Sequence, residues 1–151
     1  MIMSMSFALL SLLWFNSNQF SVGKGWRGIV PLHSTKADVI KLLGEPNLKV
    51  DGGYNLPDVT VNFIYSTQPC ELGWNVPVGT VLRILVSLKK DRPKLSELDI
   101  DLTKYKKKVH GELPDITDYI NDEEGILLEV QQGEVRLIWY DPAAKDNHLK
   151  C

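Results

Sequence analysis

The stretch from Ile29 to Asn47, IVPLHSTKADVIKLLGEPN, constrains this chain more than any other, because it specifies a helix too short to stand alone. Ser34 or Thr35 offers a hydroxyl to the free N–H groups of a first helical turn, and Asp38 follows Thr35 at the spacing of a capping box. Ala37, Ile40 and Leu43 recur at three-residue spacing with Val39 and Leu42 beside them, so a broad apolar face opposes Lys36, Asp38 and Lys41. Gly44 closes the helix in a left-handed conformation, and Pro46 forbids its resumption. About nine helical residues remain, fewer than the roughly 12–15 at which an isolated helix becomes marginal in water. The rest of the chain must supply a layer for it to pack on.

That layer reads as a sheet. Val59, Val61, Phe63 and Tyr65 alternate with Thr60, Asn62 and Ser66, the period of a half-buried strand, with Ile64 as the one large apolar exception. Across Thr80 to Lys90, Leu82, Ile84, Val86 and Leu88 alternate with Arg83, Ser87 and Lys89. A weaker strand over Leu48 to Asn55 is broken by Asp51-Gly52-Gly53. Ile116 to Ile120, Ile126 to Val130 and Val135 to Tyr140, joined by turns at Asn121–Gly125 and Gln131–Gly133, form a meander. In it Ile126, Leu128 and Val130 are expected to share a face, as are Val135, Leu137 and Trp139. Pro93 to Lys108 reads as a connector with helical turns near Leu95–Leu98 and after Thr103, and Pro142 ends the sheet. The expected class is α+β, one short N-terminal helix packed on an antiparallel sheet of about six strands.

Residues 1–21 carry no charge, and the apolar run Phe7 to Phe15 is too short to span a bilayer. It fits the centre of a secretory signal, giving a signal peptide over 1–23 and a single α+β domain over 24–151; an uncleaved anchor or a buried apolar strand is the alternative. With 151 residues and 44% hydrophobic composition, the chain has the material for one ordinary core. An exported protein with Cys70 and Cys151 is expected to join them in a disulfide, two free thiols being the alternative. Neither cysteine belongs to a CxxC pair, so redox and zinc chemistry are not expected. A net charge of −2 argues against a nucleic-acid binder. The basic runs Lys89–Lys94 and Lys104–Lys108 read as solvated faces balanced by Asp91, Asp99 and Asp101, with a site for an acidic partner as the alternative.

The residues Thr35, Lys36, Val39, Leu42, Leu43, Gly44 and Pro46 in STKADVIKLLGEP give the helix a resemblance to the T-K-x-x-V-x-x-L-L-G-x-P signature of the BamE or SmpA/OmlA-like family. Those are small lipoproteins of the bacterial outer-membrane β-barrel assembly machinery, related in fold to β-lactamase inhibitor protein. The resemblance covers under a fifth of the chain and implies a binding module rather than an enzyme. The lipoprotein members need a cysteine just after the signal, whereas the first cysteine here is Cys70, so no lipid anchor is expected.

Catalytic constellations are poorly supported. His33 adjoins Ser34, but neighbouring residues rarely face each other and Ser34 has a capping role. Asp99-Ile100-Asp101 opens like a calcium loop, yet Lys104 and His110 stand where the turn glycine and the bidentate glutamate belong. His148, Asp141 and Asp146 lie in a tail expected to be exposed. No nucleophile-elbow, zincin or phosphate-loop motif occurs, and no cofactor is expected. The long connection Thr67 to Gly79 carries Cys70, Trp74 and Asn75, and Trp74 reads either as an interface anchor or as a lid on the core. The sequence therefore favours an exported, non-catalytic protein-interaction module that binds through Trp74, Asn75 and the part of the sheet left bare by its helix. A small secreted hydrolase and a binder of small apolar ligands are the competing expectations.

Overall fold

The computed structural model describes residues 22–151 and shows two meanders joined into one sheet. The first is β1 (Gly53–Asn55), β2 (Val59–Tyr65) and β3 (Val81–Leu88); the second is β4 (Lys106–Val109), β5 (Ile116–Asn121), β6 (Ile126–Gln131) and β7 (Glu134–Tyr140). All neighbours are antiparallel, in the order β1-β2-β3-β7-β6-β5-β4, so the sheet has seven strands rather than about six. The extra strand is β4, which overlaps the end of the expected connector. Its sequence KKKV is exposed at every position and so carries no burial alternation to read. Ahead of it the connector forms 3-10 turns at Leu95–Glu97 and Leu102–Lys104.

One face of the sheet carries the main core. Val59, Val61, Phe63 and Tyr65 of β2, Ile84, Val86 and Leu88 of β3, Leu128 and Val130 of β6 and Ile138 and Tyr140 of β7 pack together there. Trp26 and Ile29 from the N-terminal segment, Val39 from the helix and Leu98 from the connector cover them, with Leu95, Ile100 and Tyr105 partly buried against the same cluster. The connector is held down where Leu95 donates to the Gly133 carbonyl and Val135 to that of Pro93, both at 2.9 Å.

Strand β7 corrects one expected face. Val130 opposes Val135 while Glu129 opposes Leu137, which leaves Arg136 as the extra residue of a bulge. The bulge reverses the alternation: Val135 joins Ile138 and Tyr140 in the core, and Leu137 and Trp139 point the other way.

The helix, α1 (Lys36–Leu43), has the expected capping box. The Thr35 hydroxyl accepts from the Asp38 N–H at 3.3 Å and the Asp38 carboxylate accepts from the Thr35 N–H at 2.8 Å. Ser34 does not cap; it is buried, and its hydroxyl accepts from the Val30 N–H. The packed face also differs from the expected one. Val39 is fully buried, Ile40 and Leu43 only partly, while Ala37 and Leu42 are exposed. Thr35 bridges to Thr80, and Lys36 donates to the Gly79 carbonyl at 2.8 Å, so α1 is anchored by its first turn beside the start of β3. From that anchor, Val39 is the side chain that reaches fully into the core.

Gly44 ends α1 with φ 80° and ψ −165°, a positive-φ conformation outside the left-handed helical region and essentially reserved for glycine. Its N–H donates to the Ile40 carbonyl at 2.8 Å, and its own carbonyl accepts from the Tyr54 hydroxyl at 3.0 Å. A Cβ here meets nothing within 4 Å, so the penalty for substitution is conformational. Gly44→Val is expected to cost about 1–3 kcal/mol, read as a lower urea midpoint with an unchanged slope. A wild-type midpoint would show that the chain leaves the helix another way.

Three carboxylates tie local turns together, and each is held below the ordinary carboxylate range by hydrogen bonds to its ionised form. They are Asp38 through the Thr35 backbone and then its hydroxyl, Glu71 through the Thr67 backbone and then its hydroxyl, and Asp101 through the Thr103 hydroxyl and then its backbone. A lowered folded-state pKa contributes stability above the unfolded value, about 4, and loses it as pH falls further. Urea midpoints should therefore be flat from neutral pH to about 5 and decline below about 4. Asp38→Asn should shallow that decline, and an identical acid profile would remove Asp38 from the account.

Candidate functional site

The side chains of the sheet that point away from the core form rows fixed by strand register. In one row Asn62 of β2 opposes Leu85 of β3, Leu85 opposes Trp139 of β7, Trp139 opposes Leu127 of β6, Leu127 opposes Ile120 of β5, and Ile120 opposes Lys106 of β4. Directly opposed residues share a face and lie within side-chain reach. The result is an apolar stripe, Leu85–Trp139–Leu127–Ile120, running across the central strands. The next row is polar apart from Leu137: Thr60, Ser87, Leu137, Glu129, Asp118 and Lys108.

The stripe Leu85–Trp139–Leu127–Ile120 is set apart from the main core. Its apolar side chains belong to neither buried cluster, and they are half-buried through their own neighbours. Arg83 lies with its guanidinium carbon 5.2 Å from the Trp139 ring centroid and pairs with Asp141, so the indole is flanked by a cation. Asn62 Oδ1, Trp139 Nε1 and Asp118 Oδ1 are shielded from solvent without a hydrogen-bond partner among the described residues, and all three belong to these two rows. Such unpaired groups cost about 1–3 kcal/mol each.

The residues singled out in the long connection lie on a second structure. Trp74 is half-buried and packs with Leu149 against the small cluster Leu32, Val76 and Leu82, while the Lys150 ammonium stands 5.5 Å from its ring centroid. Trp74 thus lids this second cluster while keeping part of its ring in solvent. Asn75 is exposed, and its N–H donates to the Leu149 carbonyl at 2.8 Å. Cys70 and Cys151 are bonded with their Cα atoms 5.8 Å apart, as expected from the sequence, and the Cys151 N–H donates to the Gly73 carbonyl at 3.0 Å. The connection and the C-terminal tail are therefore clipped together.

The tail is not uniformly exposed. Asp146 lies in a 3-10 helix, Ala144–Leu149, and is buried; its carboxylate meets His33 Nε2 at 2.9 Å. His148 stays outside and pairs through Nδ1 with the Lys145 carbonyl. A buried carboxylate orienting an imidazole is one half of an acid–base device, but Ser34, the adjacent hydroxyl, is engaged by Val30. As arranged, the pair docks the tail against the segment before α1.

A shallow cavity of about 250 Å³ lies between the N-terminal segment and the connector, lined by Lys24, Asp99, Asp101, Lys104, Tyr105 and Glu124 among others. Charged side chains share its lining with the apolar Val22, Ile100 and Ile126. Among the described residues no three His, Cys, Asp or Glu side chains are grouped to hold a metal, and no helix is long and apolar enough to cross a membrane. Comparison with known protein families, curated proteins and solved structures finds no match for this chain.

Proposed function

We propose that this is an exported, non-catalytic module that binds a protein partner on the sheet face opposite the main core. The observation that carries the reading is the continuous stripe Leu85–Trp139–Leu127–Ile120, presented on rigid strands with unpaired polar atoms beside it. A central aromatic with aliphatic neighbours, rimmed by Arg83, Glu129 and Lys106, has the make-up of an interface hot spot. The clipped loop bearing Trp74 and Asn75 offers a second contact held in place before binding, which lowers the ordering cost. The disulfide fits an oxidising compartment, and the resemblance of the helix to the BamE-like assembly lipoproteins points to a binding role in a bacterial envelope.

The test uses Leu127→Glu, which places a charge in the middle of the stripe at a position outside both buried clusters. Wild-type protein immobilised in envelope extract is expected to retain a specific partner. Binding of that purified partner should weaken at least about thirtyfold in the variant, a hot-spot effect, while the melting temperature holds. Undiminished binding by the folded variant would overturn the assignment of this face.

A further inference from the structure

We propose that the outer edge of β4 accepts an acidic, extended segment of a partner protein as an additional strand of the sheet. The two edges of the sheet are treated differently. At β1, the Asn47 side chain satisfies Asn55 in both directions, accepting from its N–H at 2.6 Å and donating to its carbonyl at 3.3 Å, while the Leu48 N–H occupies the Gly53 carbonyl at 3.2 Å. That edge is plugged by the chain's own groups.

The β4 edge is not plugged. The His110 N–H donates to the Ile116 carbonyl at 2.9 Å, and hydrogen-bonded pairs alternate along an antiparallel ladder. With Lys108 opposite Asp118 and Lys106 opposite Ile120, residues 106, 108 and 110 bond inward to β5. Lys107 and Val109 therefore direct their N–H and C=O groups outward, where no backbone group among the described residues meets them. All four residues of β4 are exposed. The exposed side chains of Val109 and Leu113 add apolar surface on or near this edge.

Charge selects the occupant. Lys104, Lys106, Lys107 and Lys108 fall within five consecutive positions, and among the described residues only Lys106 has an ion pair, with Asp122 at 2.6 Å. Lysines on an edge strand oppose pairing between identical edges, because a second copy would set like charges against each other. The same lysines favour a strand bearing Glu or Asp, whose backbone would take up the outward groups of Lys107 and Val109 while its carboxylates lie among the ammonium groups. This edge is distinct from the face carrying the Trp139 stripe, and either could fail without the other.

The test is an amide NMR titration of the whole protein, at low ionic strength, with a short blocked peptide alternating glutamate and valine. Shift changes should centre on 106–109, and hydrogen exchange at Lys107 and Val109 should slow at least about tenfold at saturation. Val109→Pro removes an outward donor that β5 does not use. It should weaken binding at least about tenfold, roughly one backbone hydrogen bond, with the fold intact. Lys107→Glu should weaken binding as well, and it serves alone if the proline variant does not fold. Leu127→Glu should leave peptide binding unchanged, which separates this edge from the sheet face. Equal binding by wild type and Val109→Pro, or displacement of the peptide by polyphosphate with the same shift pattern, would reduce the edge to a charge patch and overturn the proposal. A stable dimer through β4 in sedimentation would also overturn it.

Discussion

Replacing Cys70 with alanine is expected to remove about 4 kcal/mol of stability, the chain-entropy value for a crosslink spanning 81 residues. The folded geometry should survive. The tail keeps its backbone bonds from Asn75 to Leu149 and from Cys151 to Gly73, and Asp146 remains docked on His33. The loss therefore arises chiefly in the unfolded chain, which gains freedom when its crosslink is cut. For a protein of this size the melting temperature should fall by roughly 10 °C, and reduced wild-type protein should match the variant. A loss below about 1 kcal/mol would mean that the crosslinked unfolded chain was scarcely more restricted than the free one.

Phe63→Ala should be comparably damaging, at about 3–5 kcal/mol. Phe63 is buried on β2 with its ring centroid 5.9 Å from that of Trp26, 5.8 Å from Tyr54 and 6.4 Å from Tyr65. Its removal opens a cavity where β1, β2 and the N-terminal segment meet, and none of these is free to collapse inward. The lost aromatic contacts add to the transfer term. The checks are a urea midpoint and near-ultraviolet circular dichroism, which reports the packing of Trp26, Tyr54 and Tyr65. A cost under about 1.5 kcal/mol would show that Trp26 moves in to fill the space.

What was legible in the sequence was whatever burial on one face writes as alternation. Strands β2, β3 and β6 alternate because one side of each meets the core, and their core faces were read correctly except at Leu82, which the register shift between β2 and β3 turns out of the main core into the small cluster with Leu32 and Val76 while Val81 takes its place. Strand β4 is exposed on both sides, so its conformation is set by pairing with β5 and leaves no local pattern. The bulge at Arg136 likewise depends on β6, and it hid the division of β7 into a core side and an outer side. The cap of α1 was legible because Thr35 and Asp38 act within one turn; the dominance of Val39 was not, since the anchor at Thr80 is distant in sequence. Of the candidate site, the loop with Trp74 announced itself through its prolines, glycines and cysteine. The Trp139 stripe was missed, although a signal existed in the apolar residues on both sides of VRLIWY. The His33–Asp146 contact joins residues 113 positions apart, beyond any local rule.

The seam between β3 and β7 also orders events in time. Every other neighbouring pair in the sheet consists of consecutive strands, which need only a short stretch of chain to meet. The seam joins Ile84 to Tyr140 and Ser87 to Leu137, so it must wait until the second meander has emerged from the ribosome. Until then β3 lacks its second neighbour, and its free backbone edge is the stickiest surface of the nascent chain. Folding of this protein is thus governed by how soon its last strand arrives, and a pause in synthesis between residues 90 and 134 would prolong the interval in which β3 is open to wrong partners.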